Sequence, residues 1–297
     1  MKKYDSVIRL GKTATDFHEI GDMIVVQEKL DGANASFEKD GDHIKAYSRN
    51  KELDSENTLN GFYSYVLQNV DIDLLNEDYI YYGEWLTRHK IDYKENLNTF
   101  FLFDVFDKNS GRYLNLVNVE KIAEQIKVKT VPVFYCGKFK SFKDIYKFVG
   151  KSLLNKNEDG EGVVLKNESR DDVRGNQTYV KIVSKSFLEK QKVKTSPKQV
   201  EDLTPETLEL FQYLTPSRIE KQIFKKNEED GILYAFENFS LFMKGMGQSL
   251  LEDILKEEGD EINEGYSVEA FFKKAGHVTP PILRQIIKDK TEFVVEL

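Results

Sequence analysis

A chain of 297 residues exceeds the size at which a single hydrophobic core usually stays undivided, so two folding units are expected. Its formal charge of −8 argues against a protein that coats nucleic acid indiscriminately, because such binding draws its affinity from neutralised phosphates. A single cysteine, Cys136, excludes an intramolecular disulfide and a cysteine-based zinc site, and four histidines make any zinc site a poor expectation.

The chain opens with Lys2 and Lys3, but no apolar stretch follows them and none elsewhere approaches bilayer length, which fits a reducing cytoplasm. From Met23 to about Val183, short β-branched and aromatic runs alternate with turn signals, the pattern of an α+β domain. Strands are predicted at 23–28, 33–39 and 43–47, the last two joined by a hairpin turn at Asp40 and Gly41. Further strands are predicted at 79–85, 99–107, 131–135, 162–166 and 179–183, with a turn at 108–111. Helices are predicted near 118–127 and from the cap Ser141 to Phe148.

Between Lys181 and Lys198 stand Lys181, Lys185, Lys190, Lys192, Lys194 and Lys198 with hardly an acid among them. This run is either a local polynucleotide contact or, beyond Lys190, a solvated linker. Helical texture then begins at Thr204-Pro205 and restarts at Thr215-Pro216, a cap followed by proline at the first helical position. Three more helices are predicted at 248–257, 267–275 and 281–288. The expected division is 1–195 for the α+β domain and 203–297 for an all-helical one.

Four short patterns carry possible chemistry. EKLDGAN, Glu28 to Asn34, places a lysine at a strand end before a tight Asp-Gly turn, although such turns are common in plain hairpins. YGEW, Tyr82 to Trp85, precedes FLFDVFD, in which Asp104 needs a partner if buried and none if it lies on a solvated face. EGVVLK, Glu161 to Lys166, sends Glu161, Val163 and Leu165 to one face and Gly162, Val164 and Lys166 to the other unless a bulge intervenes. YVKIV, Tyr179 to Val183, sets Lys181 among β-formers, which taken alone reads as edge protection.

In this order, with Ser48-Arg49 between the first and second, the patterns resemble the covalent nucleotidyltransferase superfamily of DNA ligases, RNA ligases and mRNA capping enzymes. Within it the chain looks most like the RNA ligase 2 family of phage and trypanosome editing ligases. The asparagine closing KLDGAN, the KKYDSV start and the tail YLTPSRIEKQIFKK carry that resemblance. It implies a ligase-type nucleotidyltransferase fold built on antiparallel sheets with a helical C-terminal domain. The implied activity is ATP-dependent joining of RNA ends through a lysyl-AMP intermediate, with Mg2+.

The resemblance implies a role for each matched residue. Lys29 would be the nucleophile toward the α-phosphate, which requires a neutral amine and so a lowered pKa. Lys166 and Lys181 would contact that phosphate, and Glu161 would hold the metal through waters. Glu84 would bind the ribose, Phe103 would stack on adenine, and Asp104 would orient lysines or metal. Glu28, Asp31, Gly32, Asn34 and Arg49 would complete the nucleotide contacts. Arg49, Arg174 and Lys185 would meet the substrate end or nucleic acid.

Two departures bear on specificity. Asp31 stands where the phage pattern has histidine, as in DNA ligases and many RNA ligases. Lys181 is followed by Ile182 and Val183 where the phage strand has a second lysine, and Lys185 is displaced by well over 10 Å along a strand. Rival readings are a DNA ligase, a capping guanylyltransferase, and a nucleic-acid-binding protein with a dead centre. The first two usually append an OB-fold, whose five strands the helical texture after residue 204 does not supply.

Overall fold

The structure is a computed structural model describing residues 1–10, 18–87, 89–172, 175–177, 179–184, 187, 203–259 and 262–292. Arg174, Lys185 and the lysines at 190, 192, 194 and 198 lie outside the described residues. The chain forms two compact units, 1–187 and 188–297.

The first unit is α+β. Its strands are β1 (Ile8–Arg9), β2 (Met23–Lys29), β3 (Ala33–Asp40), β4 (His43–Ser48), β5 (Tyr79–Trp85), β6 (Phe100–Asp107), β7 (Arg112–Tyr113), β8 (Lys129–Thr130), β9 (Val133–Lys138), β10 (Gly162–Asn167) and β11 (Tyr179–Val183). Between them lie the helices α1 (Phe62–Asn69), α2 (Leu116–Gln125) and α3 (Phe142–Tyr146). Five strands form one sheet in the order β1-β11-β10-β2-β9, and six form the other, β4-β3-β5-β6-β7 with β8 paired to β6. Pairing is antiparallel except for β1 with β11 and β6 with β8.

Each sheet spends its apolar alternation on a helical layer. On the six-stranded sheet, Ala35, Phe37, Tyr81, Trp85, Phe100 and Leu102 pack with Phe62 and Val66 of α1 and Val119 and Ala123 of α2. On the five-stranded sheet, Ile24, Val26, Val163, Leu165 and Ile182 pack with Ile145 of α3 and with Phe139. The alternation expected for EGVVLK therefore holds for Val163 and Leu165, both fully buried. The opposite faces carry a second set of buried side chains, Ile80, Tyr82 and Tyr179 packed with Tyr4 and Tyr113, among which the polar groups of the site are set. Helix α1 escapes the sequence pattern: its segment FYSYVLQN is rich in aromatic and β-branched residues, no side chain caps its start, and Phe62 and Val66 hold it against the sheet.

The second unit is helical: α4 (Pro205–Phe211), α5 (Pro216–Asp230), α6 (Phe239–Met243), α7 (Met246–Glu258) and α8 (Val268–Glu292). Thr204 and Thr215 cap α4 and α5 as expected, accepting hydrogen bonds from the amides of Thr207 and Arg218. The expected break between helices at 275 and 281 does not occur. Helix α8 runs through Pro280 and Pro281 because Phe271, Ala275, Leu283 and Ile287 keep one buried stripe across the proline pair. The Arg218 guanidinium is fully buried in this unit, 3.2 Å from Asp253 and 3.3 Å from Glu258.

Candidate active site

Cross-strand pairing places the key side chains. Lys29 pairs with Gly162, Gln27 with Val164, and Val25 with Lys166. Val164 pairs in turn with Lys181 and Lys166 with Tyr179. Directly paired residues share a face, so Lys29, Lys181 and Lys166 stand in successive rows on the face turned away from α3, over roughly 13 Å of strand. Gly162 is obligatory here, since a Cβ would lie 2.1 Å from the carbonyl oxygen of Ile182.

At the end of β2, Lys29 Nζ lies 2.6 Å from Glu161 Oε1. Burial alone would lower the amine's pKa, but the charges of Glu161, Glu84 and Asp31 outweigh it and hold Lys29 above its ordinary value. With only the protein's own charges around it, Lys29 favours the ammonium form paired to Glu161, and the lowering that nucleophilic attack requires falls to the cation and phosphates of the resemblance. Glu161 itself is pushed up by burial against the pull of Lys29. Asp31 is drawn down, burial being outweighed by His89 and Lys29 and by hydrogen bonds.

The residues flanking Lys29 are tied in opposite directions. Glu28 lies on the α3 face, buried, accepting from Ser152 Oγ at 2.6 Å and from the Leu153 amide at 2.8 Å. Its carboxylate is thereby engaged away from the nucleotide contacts expected of it. Asp31 accepts from the amides of Lys90 (2.9 Å) and Ile91 (3.2 Å), and its own amide donates to Tyr93 Oη at 2.8 Å. Asn155 Nδ2 closes the circuit by donating to the carbonyl of Asp92 at 2.6 Å. Gly32 donates to Glu84 Oε1 at 3.1 Å and sits where a Cβ would fall 2.6 Å from the Trp85 carbonyl.

On the six-stranded sheet Asn34 pairs with Glu84, setting both on the face away from α1 and α2. Burial raises Glu84 to about 8, with Lys29 opposing. Between about pH 4.5 and 8 the folded state holds a proton that the unfolded chain has released, so this group's contribution to stability falls as pH rises through that window. Glu84→Gln is therefore expected to stabilise the protein at pH 9 by about 1–2 kcal/mol and to leave it unchanged near pH 4, as read by urea unfolding.

Phe103 and Asp104 are consecutive, which alternation would send to opposite faces. The β5–β6 register shifts there: Tyr82 pairs with Asp104 but Gly83 with Leu102, leaving Phe103 unpaired in a bulge. Asp104 is buried and 2.8 Å from Lys166 Nζ, which also donates to the Phe103 carbonyl at 2.6 Å. Burial opposes ionisation of both partners, lowering Lys166 and raising Asp104. Sequence reasoning missed the third member: Tyr4 donates its hydroxyl to Asp104 and stacks on Tyr179, with Phe103 edge-on at 4.8 Å. Its signal was an aromatic in a polar opening segment. Tyr4→Phe removes one of the two side-chain donors to Asp104 Oδ2 while Lys166 remains, and is expected to cost about 0.5–1.5 kcal/mol in denaturant unfolding.

Arg49 is half-buried just after β4, following Ser48, which exchanges hydrogen bonds with Lys51. Among the described residues no group of three or more histidine, cysteine, aspartate and glutamate side chains is set to hold a metal ion. Glu161, with the charges of Asp31 and Glu84 bearing on it or on Lys29, offers a hard oxygen, and this partial set could hold a hydrated divalent cation only in part. Gathered on one face are therefore a strand-end amine, the carboxylate paired to it, and two further lysines. No described helix is long and apolar enough to cross a membrane.

A family model described as RNA ligase matches residues 22–183, the span from β2 to the end of β11. No curated protein matches the chain. Among solved structures the similar ones include Naegleria gruberi RNA ligase in several forms. One unliganded variant is 27% identical, covers 57% of this chain and 52% of its own, and superposes with a TM-score of 0.48. A second unliganded variant is 23% identical, with 64% and 57% coverage and a TM-score of 0.51. A variant solved with ATP and manganese is 24% identical, with 62% and 61% coverage and a TM-score of 0.47. The chain spans little more than half the length of these matched chains.

Proposed function

The chain belongs to the RNA ligase family, and we propose that it is an ATP-dependent ligase that joins RNA 3′-hydroxyl and 5′-phosphate ends through an AMP adduct on Lys29. The 2.6 Å pairing of Lys29 with Glu161, on the face that also bears Lys181 and Lys166, is the observation that supports this reading most.

Lys29 Nζ, once neutral, attacks the α-phosphorus of ATP. The bond to the pyrophosphate oxygen breaks, pyrophosphate leaves with the bonding electrons, one amine proton passes to solvent, and a phosphoramidate forms. A 5′-phosphate oxygen then attacks the AMP phosphorus, the Lys29 N–P bond breaks and the amine takes up a proton; the 3′-hydroxyl, losing its proton to solvent, attacks the 5′-phosphorus and expels AMP to leave a phosphodiester. Lys181, half-exposed between the rows of Lys29 and Lys166, is placed to offset charge on the reacting phosphate. Lys166 is held by Asp104 and the Phe103 carbonyl and contributes a fixed positive charge. Phe103, released from pairing by the bulge, presents the ring for the base, and Glu84 and Asn34 lie side by side for the ribose.

Glu161 would hold magnesium. That ion, when bound, supplies positive charge that competes with the proton on Lys29 and neutralises phosphate oxygens. Arg49, together with Arg174 and Lys185, is assigned to the incoming end or the nucleic acid. The 1–195 and 203–297 segments are taken as the transferase and helical domains, in keeping with a soluble cytoplasmic enzyme.

The test is covalent labelling. The protein is incubated with α-labelled ATP or GTP and magnesium and run on a denaturing gel. Label retained from ATP and discharged by nicked duplex RNA supports the proposal. Label from GTP points to capping chemistry, and label from neither refutes the reading. Nicked DNA and hybrid duplexes then rank the strand preference.

A further inference from the structure

We propose that the exposed lysine ridge of residues 138–156 docks the sugar-phosphate backbone of RNA outside the catalytic cleft. This rests on the RNA-ligase reading and extends it to how the substrate body is held. The ridge holds Lys138, Lys140, Lys143, Lys147, Lys151 and Lys156, all exposed. Asp144 is the one acid between the first and the last, and its carboxylate accepts from Ser141 Oγ at 2.9 Å.

Elsewhere the surface lysines of this acidic chain commonly find carboxylates, as Lys45 does with Asp40, Lys94 with Asp92 and Lys108 with Glu38. None of the six ridge lysines forms an ion pair among the described residues, and the Lys147 amine lies instead 5.0 Å over the Phe148 ring. Six exposed like charges within nineteen residues of chain, none with a counter-charge among the described residues, attract anions, so the ridge is poised for a polyanion. Its path is fixed by the fold. Lys138 ends the edge strand β9, and Lys143 and Lys147 lie one turn apart at α3, whose Ile145 is anchored under the sheet. The segment then passes Lys151 to Ser152 and Leu153, the two partners of Glu28 beside the nucleophile. Tyr146 lies 54% exposed between two of the lysines, an aromatic that can stack on a splayed base. The ridge lies on the α3 side of the sheet and the site lysines on the other, so an RNA seated here rounds the end of β2 to reach Lys29, and the body of the substrate is gripped away from the break.

The quadruple variant K140Q/K143Q/K147Q/K151Q is compared with the unaltered protein and with K121Q/K127Q, a control on and after α2. Binding to a long structured RNA is measured from about 50 to 200 mM salt. The slope of log affinity against log salt should fall by about 3, with affinity at 50 mM down about 10- to 100-fold, while ATP labelling of Lys29 persists and the control is unchanged. The pair K143Q/K147Q should show about half the slope change. Unchanged affinity and slope in the quadruple variant overturn the proposal, as does polyglutamate displacing RNA at equal charge concentration. Failure of the ligase reading is separate: it shows as no ATP labelling in the unaltered protein, whatever its RNA affinity.

Discussion

Lys29→Ala is expected to abolish retention of labelled AMP, with end joining reduced by at least about 10^4-fold, the scale on which loss of a covalent nucleophile is felt. Lys29→Arg should fare no better despite keeping the positive charge, because a guanidinium does not surrender its proton in a protein. The geometry adds a second, less obvious outcome. In the ligand-free site Lys29 is held in its charged form by Glu161 at 2.6 Å and by the fields of Glu84 and Asp31. With the divalent ion limiting, the neutral amine is scarce, and the rate of adenylylation should climb with pH by about one log unit per unit. Raising the ion concentration should flatten that slope. A rate independent of pH at low metal would contradict an ammonium ion in the resting site, and label retained by the alanine variant would displace the nucleophile altogether.

Removing Lys166 should produce the largest loss of stability. Lys166→Ala leaves Asp104, 1% exposed, with Tyr4 as its remaining side-chain donor, and an uncompensated buried charge costs about 3–5 kcal/mol. Lys166→Met combined with Asp104→Leu removes both charges and should recover most of that loss in urea unfolding while activity stays absent. This contrast separates the contribution of the pair to folding from its contribution to catalysis. A double variant as unstable as the single one would show that the stability resides in the Phe103 carbonyl contact or in aliphatic packing instead.

The strands were legible because alternation is a local signal. The 79–85 and 179–183 strands match the observed β5 and β11 residue for residue, and β2, β3, β4, β6 and β10 differ by one residue at an end. The reciprocal pairing of Lys29 with Gly162 was not legible, since register depends on partners far along the chain. Nor was the bulge at Phe103, which departs from the alternation that identifies a strand. Tyr4 escaped because a buried aromatic in a charged segment has no periodicity to announce it. Helix α8 was cut at Pro280 because proline is a strong local stop, whereas the stripe from Phe271 to Ile287 is a tertiary fact. The proton affinity of Lys29 was hidden for a related reason: the motif supplies the lysine and Asp31, but Glu84 and Glu161 reach it from distant segments.

The hydrogen bonds that leave Glu28 and Asp31 in opposite directions meet through Asn155 and Asp92, so the nucleophile sits at the closed end of a loop of tethers drawn from three stretches of chain. A lysine carried this way cannot swing without unlatching amides that belong to irregular segments. Ile91 and Leu153, although outside any strand or helix, should therefore exchange their amide hydrogens as slowly as the sheet does. Their release would mark the moment the amine loses its aim.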